Sequence, residues 1–282
     1  MSASRNWLIT GVSSGLGRAL SEAVLARGDR VAGSVRNATD AAAFEQLAPG
    51  RAHAILMDVT DDAMVRDGVA AVESRHGPID VLVNNAGYGL VTGVEEASLD
   101  EIRHQFDVNV FGAVSVMQAV LPHMRARRRG FIVNITSVSG FVGWASLGIY
   151  SGSKFALEGI SETLAQELAP LGIRLMMVEP GGLRTDFAGR SRVSSARQIE
   201  DYDASVGRNR RILDEHVGHE AGDPRRAAEA IIRAMLAPEP PLRLLLGDDA
   251  IAYATAKLNG QLAELESWKP VSTSIAFETE AI

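Results

Sequence analysis

The 282-residue sequence contains no cysteine, so it can form neither a disulfide framework nor a thiolate metal site. Its six histidines form no H-x-x-x-H pair or other ligand set, and we therefore expect no bound metal. The formal net charge of −7 provides no general basic field, which argues against nucleic acid as a partner. These absences leave a protein that acts on small molecules or on other proteins.

Long apolar runs are also missing. No stretch approaches the ~20 apolar residues of a membrane-spanning helix. The N-terminal stretch MSASRNWLIT lacks the apolar core of a signal peptide. The basic stretch MRARRRG at 124–130 is best explained as the solvated end of a helix, where the helix dipole favours cations. We therefore expect a cytoplasmic protein without a membrane partner.

What the sequence does contain is an alternation of short apolar runs with longer helical patterns, typical of α/β proteins. Because the apolar runs are continuous, we expect strands buried on both faces, as in parallel sheets covered by helices. The pattern predicts one domain over residues 1–282: a Rossmann-type, doubly wound parallel sheet of seven strands with helices on both faces. The strand candidates are 6–10, 30–35, 52–59, a run from 79, 130–136, 173–179 and 242–247, and the main helical stretches are 15–27, 61–76, 101–127 and 151–169.

One polar segment interrupts the alternation. Residues 184–223 have no strong period, and they follow the sixth predicted strand. A long irregular insert in a compact domain is usually a lid or a binding loop. In doubly wound sheets ligands bind at the carboxyl ends of the strands, so we expect this segment to cover the substrate.

A glycine-rich loop, TGVSSGLG at 10–17, joins the first strand to the first helix. Glycines permit a tight turn and close backbone approach, and a helix N-terminus attracts a pyrophosphate. The spacing G-x-x-x-G-x-G differs from the common G-x-G-x-x-G fingerprint. The candidate dinucleotide-binding residues are Gly11, Ser13, Ser14, Gly15, Leu16 and Gly17.

The ends of the next two strands suggest which coenzyme binds. A carboxylate after the second strand usually holds a ribose 2′-hydroxyl, whereas arginine meets a 2′-phosphate. Here the residues are SVRN at 34–37, with Arg36 and no acid before Asp40. We therefore expect NADP(H) in preference to NAD(H). Asp58, followed by Val59, is a candidate partner for the adenine amino group.

The stretch YSGSK at 150–154 places a tyrosine and a lysine one helical turn apart. A phenol has a pKa near ~10 and is a poor acid–base group at neutral pH. A lysine cation on the same helix face would favour the phenolate and lower that pKa. Taken singly, each residue could equally be structural.

Several motifs in order make the chain resemble the classical short-chain dehydrogenase/reductase family over about residues 5–260. They are TGVSSGLG (10–17), DV (58–59), NNAG (84–87), Asn109, Ser137, YSGSK (150–154) and PGGLRT (180–185). The resemblance implies oxidoreductase activity between a carbonyl and an alcohol, with a nicotinamide coenzyme.

The resemblance also implies a catalytic tetrad. Tyr150 would be the general acid in reduction and the base in oxidation, and Lys154 would lower its pKa and bind the nicotinamide ribose. Ser137 would bond the substrate oxygen, where charge develops. Asn109 would hold a water that links Lys154 to solvent.

The remaining candidates line the coenzyme and the substrate. The resemblance places Asn84, Ala86, Gly87, Pro180, Leu183 and Thr185 against the coenzyme. Neighbouring apolar residues predict a hydrophobic substrate pocket, and they are Tyr88, Phe141, Trp144, Leu147 and Phe187.

Two alternatives stay open at this point: an NAD-dependent alcohol dehydrogenase of the same fold, and a non-catalytic nucleotide-sensing or scaffold protein. The family forms dimer and tetramer contacts through the helices 101–127 and 151–169, and small residues in the second would allow close approach. We expect a homodimer or homotetramer that acts on a small-molecule carbonyl or alcohol.

Overall fold

A computed structural model describes residues 4–185 and 191–277. Seven parallel strands form the main sheet in the order β3-β2-β1-β4-β6-β7-β9, which confirms the predicted fold class. The strands of this sheet are β1 Asn6–Ile9, β2 Arg30–Val35, β3 Ala52–Leu56, β4 Val81–Asn84, β6 Gly130–Ile135, β7 Ile173–Pro180 and β9 Arg243–Leu246. Two short strands, β5 Gly89–Val91 and β8 Arg192–Ser194, pair separately.

Helices cover both faces of the sheet. The helices of the described residues are α1 Gly15–Ala26, α2 Ala38–Glu45, α3 Asp62–Arg75, α4 Leu99–Phe106, α5 Gly112–Arg127, α6 Gly148–Leu168, α7 Arg208–His216, α8 Pro224–Met235 and α9 Asp248–Thr273, of which α1, α2 and α8 pack on one face and α3, α5 and α6 on the other. The side chains of β1 show why its sequence is continuously apolar. Trp7 and Ile9 enter the core beneath α1 and α8, whereas Leu8 enters the core beneath α3, α5 and α6. Because both faces are covered, alternation of polar and apolar residues is absent.

The predicted helix 101–127 is helical throughout, but it is not regular α-helix along its whole length. A π-helical turn over Asp107–Phe111 separates α4 from α5. π-turns of this kind are frequent at functional sites, and they shift side chains out of the regular helical register. Here the turn carries Asn109, whose side chain is buried.

The polar segment expected to be irregular has structure of its own. Its described residues are 184–185 and 191–223, and the stretch 191–216 is called the lid segment below. It contains β8, a 3-10 turn at Glu200–Tyr202, a π-turn at Asp203–Gly207 and α7. No side chain of α7 is buried, and this explains why the sequence shows no apolar period there. Strand β8 runs parallel to β5, with Leu90 opposite Val193.

A cluster of three carboxylates around one guanidinium joins α6, β7 and β9. Arg243 lies against Glu158 and Glu162 of α6 and against Glu179 of β7, the last at 3.1 Å. Glu179 is 1% exposed, and burial raises its pKa to about 7. One guanidinium cannot neutralise three carboxylates, so Glu179 retains its proton at mildly acidic pH.

Changing Glu179 to glutamine should therefore alter how stability depends on pH. The folded protein holds this proton up to about pH 7, whereas the unfolded chain gives it up near pH 4.5. This stabilisation is complete below pH 4.5 and is lost as the pH rises to 7. The Glu179→Gln variant has no such proton to lose, so it is spared this decrease in the free energy of unfolding, which is on the order of 2 kcal/mol. Its Tm relative to the wild type should rise by a few degrees between pH 5 and pH 8.

Glu162→Gln is the matched control, because its carboxylate contacts the same guanidinium while being 54% exposed. Its Tm difference from the wild type should not change with pH. A Glu179→Gln difference that stayed flat across this range would show that Glu179 is ionised throughout.

Candidate active site

The glycine loop between β1 and α1 is shaped to receive a phosphate group. Gly11 and Gly15 have φ angles of +71° and +59°, in the left-handed region that glycine tolerates best. A Cβ on Gly17 would lie 2.3 Å from the Gly11 carbonyl oxygen, so the two backbones touch there. Ser14 begins α1 without a side-chain capping bond, which leaves the first N–H groups of the helix for an anion. These residues fit the pyrophosphate of a dinucleotide.

Asn85, which the sequence analysis did not single out, holds this loop in place. Its Nδ2 donates to the carbonyl oxygens of Thr10 and Gly11, both at 2.9 Å. Its backbone N–H and that of Ala86 both donate to the Thr10 hydroxyl. The neighbouring Asn84 points instead to the interior, where its Nδ2 donates to Asn134. The motif NNAG was the available signal, because its two asparagines occupy opposite sides of the chain.

The ends of β2 and β3 bring Arg36 and Asp58 near each other. Arg36 is exposed, immediately after Val35. Asp58 accepts hydrogen bonds from the backbone and hydroxyl of Thr60, at 2.9 and 2.8 Å. The Thr60 backbone bond is the largest cause that lowers the pKa of Asp58, and the Arg36 cation adds to it. Asp58 is therefore a hydrogen-bonded anion beside an exposed cation.

Tyr150 and Ser137 lie together although they come from different elements. Tyr150 is in the first turn of α6, and Ser137 follows β6. The two side chains are hydrogen-bonded to each other. The Ser137 hydroxyl also accepts from the Ser139 N–H at 3.0 Å, which fixes its position. Both residues are buried, with Tyr150 7% and Ser137 9% exposed.

Lys154 and Asn109 meet beside Gly87. A Cβ on Gly87 would lie 3.0 Å from Asn109 Oδ1 and 3.7 Å from Lys154 Nζ. Lys154 Nζ donates to the Ile135 carbonyl oxygen at 3.0 Å and lies 5.8 Å from the centre of the Tyr150 ring. The four residues of the expected tetrad are thus brought to one place at the carboxyl edge of the sheet.

In the π-turn, the Asn109 side chain forms hydrogen bonds with the backbone of Tyr88 rather than with the backbone of its own helix. Asn109 Oδ1 accepts from the Tyr88 N–H at 3.0 Å, and Nδ2 donates to the Tyr88 carbonyl oxygen at 2.9 Å. Nδ2 also donates to the Ser153 hydroxyl. Asn109 therefore ties the chain after β4 to α6, one residue before Lys154.

The pKa values of Tyr150 and Lys154 differ from the sequence-based expectation. Burial raises the pKa of Tyr150 to about 12, and only the Ser137 hydrogen bond acts in the lowering direction. Burial also lowers the pKa of Lys154 to about 8, which weakens it as a cation. The expected lowering of the tyrosine pKa by the lysine is therefore not a property of the protein as described. In this environment Tyr150 holds its proton.

The loop after β7 closes the site from the other side. The Leu183 backbone forms a bridge with Gly222, and the Gly182 N–H donates to Asp249 of α9 at 2.8 Å. A Cβ on Gly15 would lie 3.6 Å from Thr185 Cβ. This contact brings the loop that follows β7 against the glycine loop.

The expected apolar wall is partly assembled. Phe141, Trp144 and Leu147 are half-buried in the segment that leads to Tyr150. The Trp144 ring packs edge-on against Tyr253 of α9, with centroids 5.3 Å apart. The Tyr88 ring lies instead against His104 of α4, 5.5 Å between centroids. Phe187 lies outside the described residues.

Comparisons with known proteins identify the family of the chain. The family model described as short chain dehydrogenase matches residues 5–195. The chain belongs to the short-chain dehydrogenase family. Oxidoreductase BOA17 of Botryotinia fuckeliana is 37% identical over 271 residues, which cover 96% of this chain and 98% of that one. A crystal structure of a short-chain dehydrogenase from Streptomyces avermitilis superposes with a TM-score of 0.92 at 40% identity, covering 98% of this chain and 100% of that one.

Two proteins that resemble the chain carry different nicotinamide coenzymes in their names. A Burkholderia phymatum short-chain dehydrogenase/reductase, solved in complex with NAD, has a TM-score of 0.81 at 26% identity, covering 93% of this chain and 95% of that one. The NADPH-dependent 3-dehydrocapnine reductase of Ornithobacterium rhinotracheale is 36% identical over 202 residues, 70% of this chain and 71% of that one. The protein is thus a short-chain dehydrogenase with a fold that binds NAD(P).

Two negative findings concern the described residues only. None of their helices has both the length and the apolar composition needed to cross a bilayer. Within the same ranges, no group of three or more histidine, aspartate or glutamate side chains is placed to hold a metal ion.

Proposed function

We propose that this oxidoreductase uses NADP(H) to interconvert a ketone or aldehyde and an alcohol on a largely hydrophobic small molecule. The observation that carries the proposal is the hydrogen-bonded pair of Tyr150 and Ser137, with Lys154 Nζ beside the same ring. Bound NADP(H) supplies a hydride to the carbonyl carbon or takes one from the alcohol.

In this proposal Tyr150 gives its proton to the carbonyl oxygen. Burial keeps that proton on the phenol at neutral pH, as reduction requires, although a pKa of about 12 makes Tyr150 a weaker acid than free tyrosine. The Ser137 hydroxyl bonds the same oxygen and stabilises the charge that develops on it. Lys154 holds the nicotinamide ribose, and Asn109 fixes the turn that faces it. The direction favoured by a protonated phenol is reduction.

The proposed coenzyme site uses the residues gathered around the glycine loop. Their backbone and side chains come from five strand ends, and they are Gly11, Ser13, Ser14, Gly15, Leu16, Gly17, Arg36, Asp58, Val59, Ala86, Gly87, Pro180, Leu183 and Thr185. Asn84, also expected there, turns its side chain to Asn134 in the interior instead. The preference for the 2′-phosphate rests on Arg36, together with the absence of an acid at 34–37.

Arg36→Ala should raise the Kd for NADPH about tenfold or more and leave the Kd for NADH within about twofold. One charge-assisted bond to phosphate is worth about 1.5–3 kcal/mol, and only NADPH makes it. Fluorescence titration with each coenzyme measures both constants. Arg27→Ala is the control, because Arg27 is an exposed arginine at the far end of α1. A wild type that preferred NADH would favour the alternative, an NAD-dependent alcohol dehydrogenase.

The substrate class is tested by following NADPH oxidation against a panel of ketones, quinones, steroids and β-ketoesters. Turnover of hydrophobic ketones by the wild type supports the proposal. Coenzyme binding without turnover of any carbonyl would favour the non-catalytic, nucleotide-sensing alternative.

We also propose that the protein forms a homodimer or homotetramer in the cytoplasm. Phe111 at the end of the π-turn is 61% exposed and Phe155 of α6 is 45% exposed. Large apolar side chains at the surface of neighbouring helices are suited to contact with a second copy. Light scattering measures the mass directly, and a monomer would contradict this.

A further inference from the structure

Glu96 is a buried carboxylate that the proposed chemistry does not use. Its side chain is 2% exposed, and glutamate is seldom buried to this extent unless it is paired. Oε2 accepts from the Gly93 N–H at 2.8 Å and from Arg210 Nη2 at 2.7 Å. Oε1 accepts from the Ile199 N–H at 2.9 Å. Three donors therefore converge on one charge.

Two of these donors belong to the lid segment. Ile199 lies 103 residues and Arg210 lies 114 residues further along the chain than Glu96. The Arg210 side chain is itself 13% exposed, so the ion pair is largely shielded from solvent. Buried charge-assisted bonds of this kind are stronger than exposed ones, and removing one partner leaves an uncompensated charge.

The charge state of Glu96 agrees with this geometry. Burial acts to raise the pKa of Glu96, but the N–H groups of Ile199 and Gly93 and the Arg210 guanidinium outweigh it and hold the pKa below its usual value. The facing charged groups are Arg210 and, on its own loop, the exposed Glu95. Glu96 is therefore an anion throughout the neutral range.

A second set of bonds joins the lid segment to the loop before Tyr150. Asn209 Nδ2 donates to the Ala145 carbonyl oxygen at 2.6 Å and to the Ser146 hydroxyl at 3.0 Å. Ser146 has a φ of +65°, a left-handed conformation that is uncommon outside glycine. Its carbonyl oxygen accepts from the Thr92 N–H at 2.7 Å. The lid segment, the chain after β5 and the loop before α6 thus meet at one junction.

This junction borders the catalytic residues. Helix α6 begins at Gly148, two positions before Tyr150, and a Cβ on Gly148 would lie 2.9 Å from Val94 Cγ2. The lid residue Val206 packs at Gly93, where a Cβ would lie 3.2 Å from its Cγ2. Parallel pairing of β5 with β8 fastens the start of the lid segment to the same chain.

We propose that Glu96 is a positioning residue. Its hydrogen bonds to Ile199 and Arg210, called the clasp below, hold the lid segment against residues 89–96. The lid segment therefore forms an ordered wall of the substrate cleft before the substrate binds. The substrate then binds to a wall that is already ordered and does not bear the entropic cost of ordering it. The proposal rests on the proposed function, because the wall matters only if a carbonyl substrate binds beside Tyr150.

Glu96→Gln tests the clasp, because it keeps the shape of the side chain and removes its charge. We expect KM for a turned-over carbonyl to rise about tenfold, the size of one charge-assisted bond, with kcat within about twofold. The Kd for NADPH should not change. Amide hydrogen exchange at Gly93 and Ile199 should accelerate without any substrate. Arg210→Met should act alike, and the double variant should be less than additive.

Asp203→Asn is the matched control. Asp203 pairs with Arg211 within the lid segment, but both side chains are more than half exposed, so KM and the exchange of Ile199 should stay at wild-type values. If Arg210→Met does not fold, Arg210→Lys takes its place. This variant keeps the charge, so its KM and its amide exchange at Ile199 should lie between those of the wild type and those of Glu96→Gln.

If amide hydrogen exchange at Ile199 were as slow in Glu96→Gln as in the wild type, Glu96 would not be what orders the lid segment. Equal losses in kcat and in coenzyme affinity would also contradict the proposal. If the wild type reduced no carbonyl at all, the proposed function would fail together with the KM effect. The exchange rates would still decide whether Glu96 holds the lid segment. The two failures are therefore distinguishable.

Discussion

Changing Tyr150 to phenylalanine should lower kcat for carbonyl reduction by about a thousandfold, the scale of a lost general acid. The substitution removes one oxygen atom and leaves the ring in its buried position. Ser137 would lose its hydrogen-bond partner, and the substrate oxygen would lose its proton donor. The Kd for NADPH should stay within about twofold, because the glycine loop and Arg36 are untouched. Steady-state kinetics with coenzyme titration separate the two effects.

Tyr253→Phe is the control for this variant. It also deletes a phenolic oxygen, but it keeps the edge-on ring contact with Trp144, so kcat should not change. A thermal melt of each variant shows whether the fold is retained. If Tyr150→Phe kept kcat within tenfold of the wild type, another acid would have to supply the proton, and the assignment of Tyr150 would be wrong.

Adding a single methyl group at Gly17 should weaken coenzyme binding about a hundredfold, which corresponds to about 2.7 kcal/mol. A Cβ there would lie 2.3 Å both from Asn85 Nδ2 and from the Gly11 carbonyl oxygen. Neither neighbour is free to move, because Asn85 Nδ2 is bonded to the carbonyl oxygens of Thr10 and Gly11. Gly17→Ala must therefore displace the loop that would hold the pyrophosphate. The Tm should also fall, since overpacking costs about 1–3 kcal/mol.

Gly260→Ala is the matched helical control. Nothing lies within 4 Å of a Cβ at Gly260, which is exposed in the middle of α9. Alanine is favoured over glycine in a helix by roughly 0.5–1 kcal/mol, so this variant should be slightly more stable and should bind NADPH normally. Wild-type affinity in Gly17→Ala would show that the glycine loop does not carry the coenzyme.

The ordered motifs and the apolar runs were sufficient to predict the sheet, because both are patterns among residues that are close together in the sequence. Each of the five inner strands, β2, β1, β4, β6 and β7, places side chains beneath both helical layers, and continuous apolar sequence is the direct consequence. The π-turn at Asn109 is not predicted by the sequence, because apolar periodicity does not distinguish one π-helical turn from regular α-helix. Only the contact of Asn109 with the Tyr88 backbone, 21 residues away, explains the π-turn.

The structure of the lid segment, in contrast, could not be predicted from local sequence patterns. Its sequence is polar and without period, which is why it was expected to be irregular. In the structure β8 pairs with β5, and Glu96 binds both Ile199 and Arg210. These bonds span about a hundred residues of sequence, so no local pattern could reveal them. Asn85 was overlooked for a related reason, because its role depends on the carbonyl groups of a distant loop.

The sequence by itself determined the parallel sheet, the glycine loop and the residue types that come together at its carboxyl edge. These depend on periodicity, on glycine backbone freedom and on the order of motifs along the chain. Only the tertiary structure decided the pKa of Tyr150, which burial raises to about 12 although a lysine stands four residues away. It also decided that the lid segment is fastened at Glu96. Burial and long-range hydrogen bonding are properties of the folded chain, and both depend on which distant atoms exclude water.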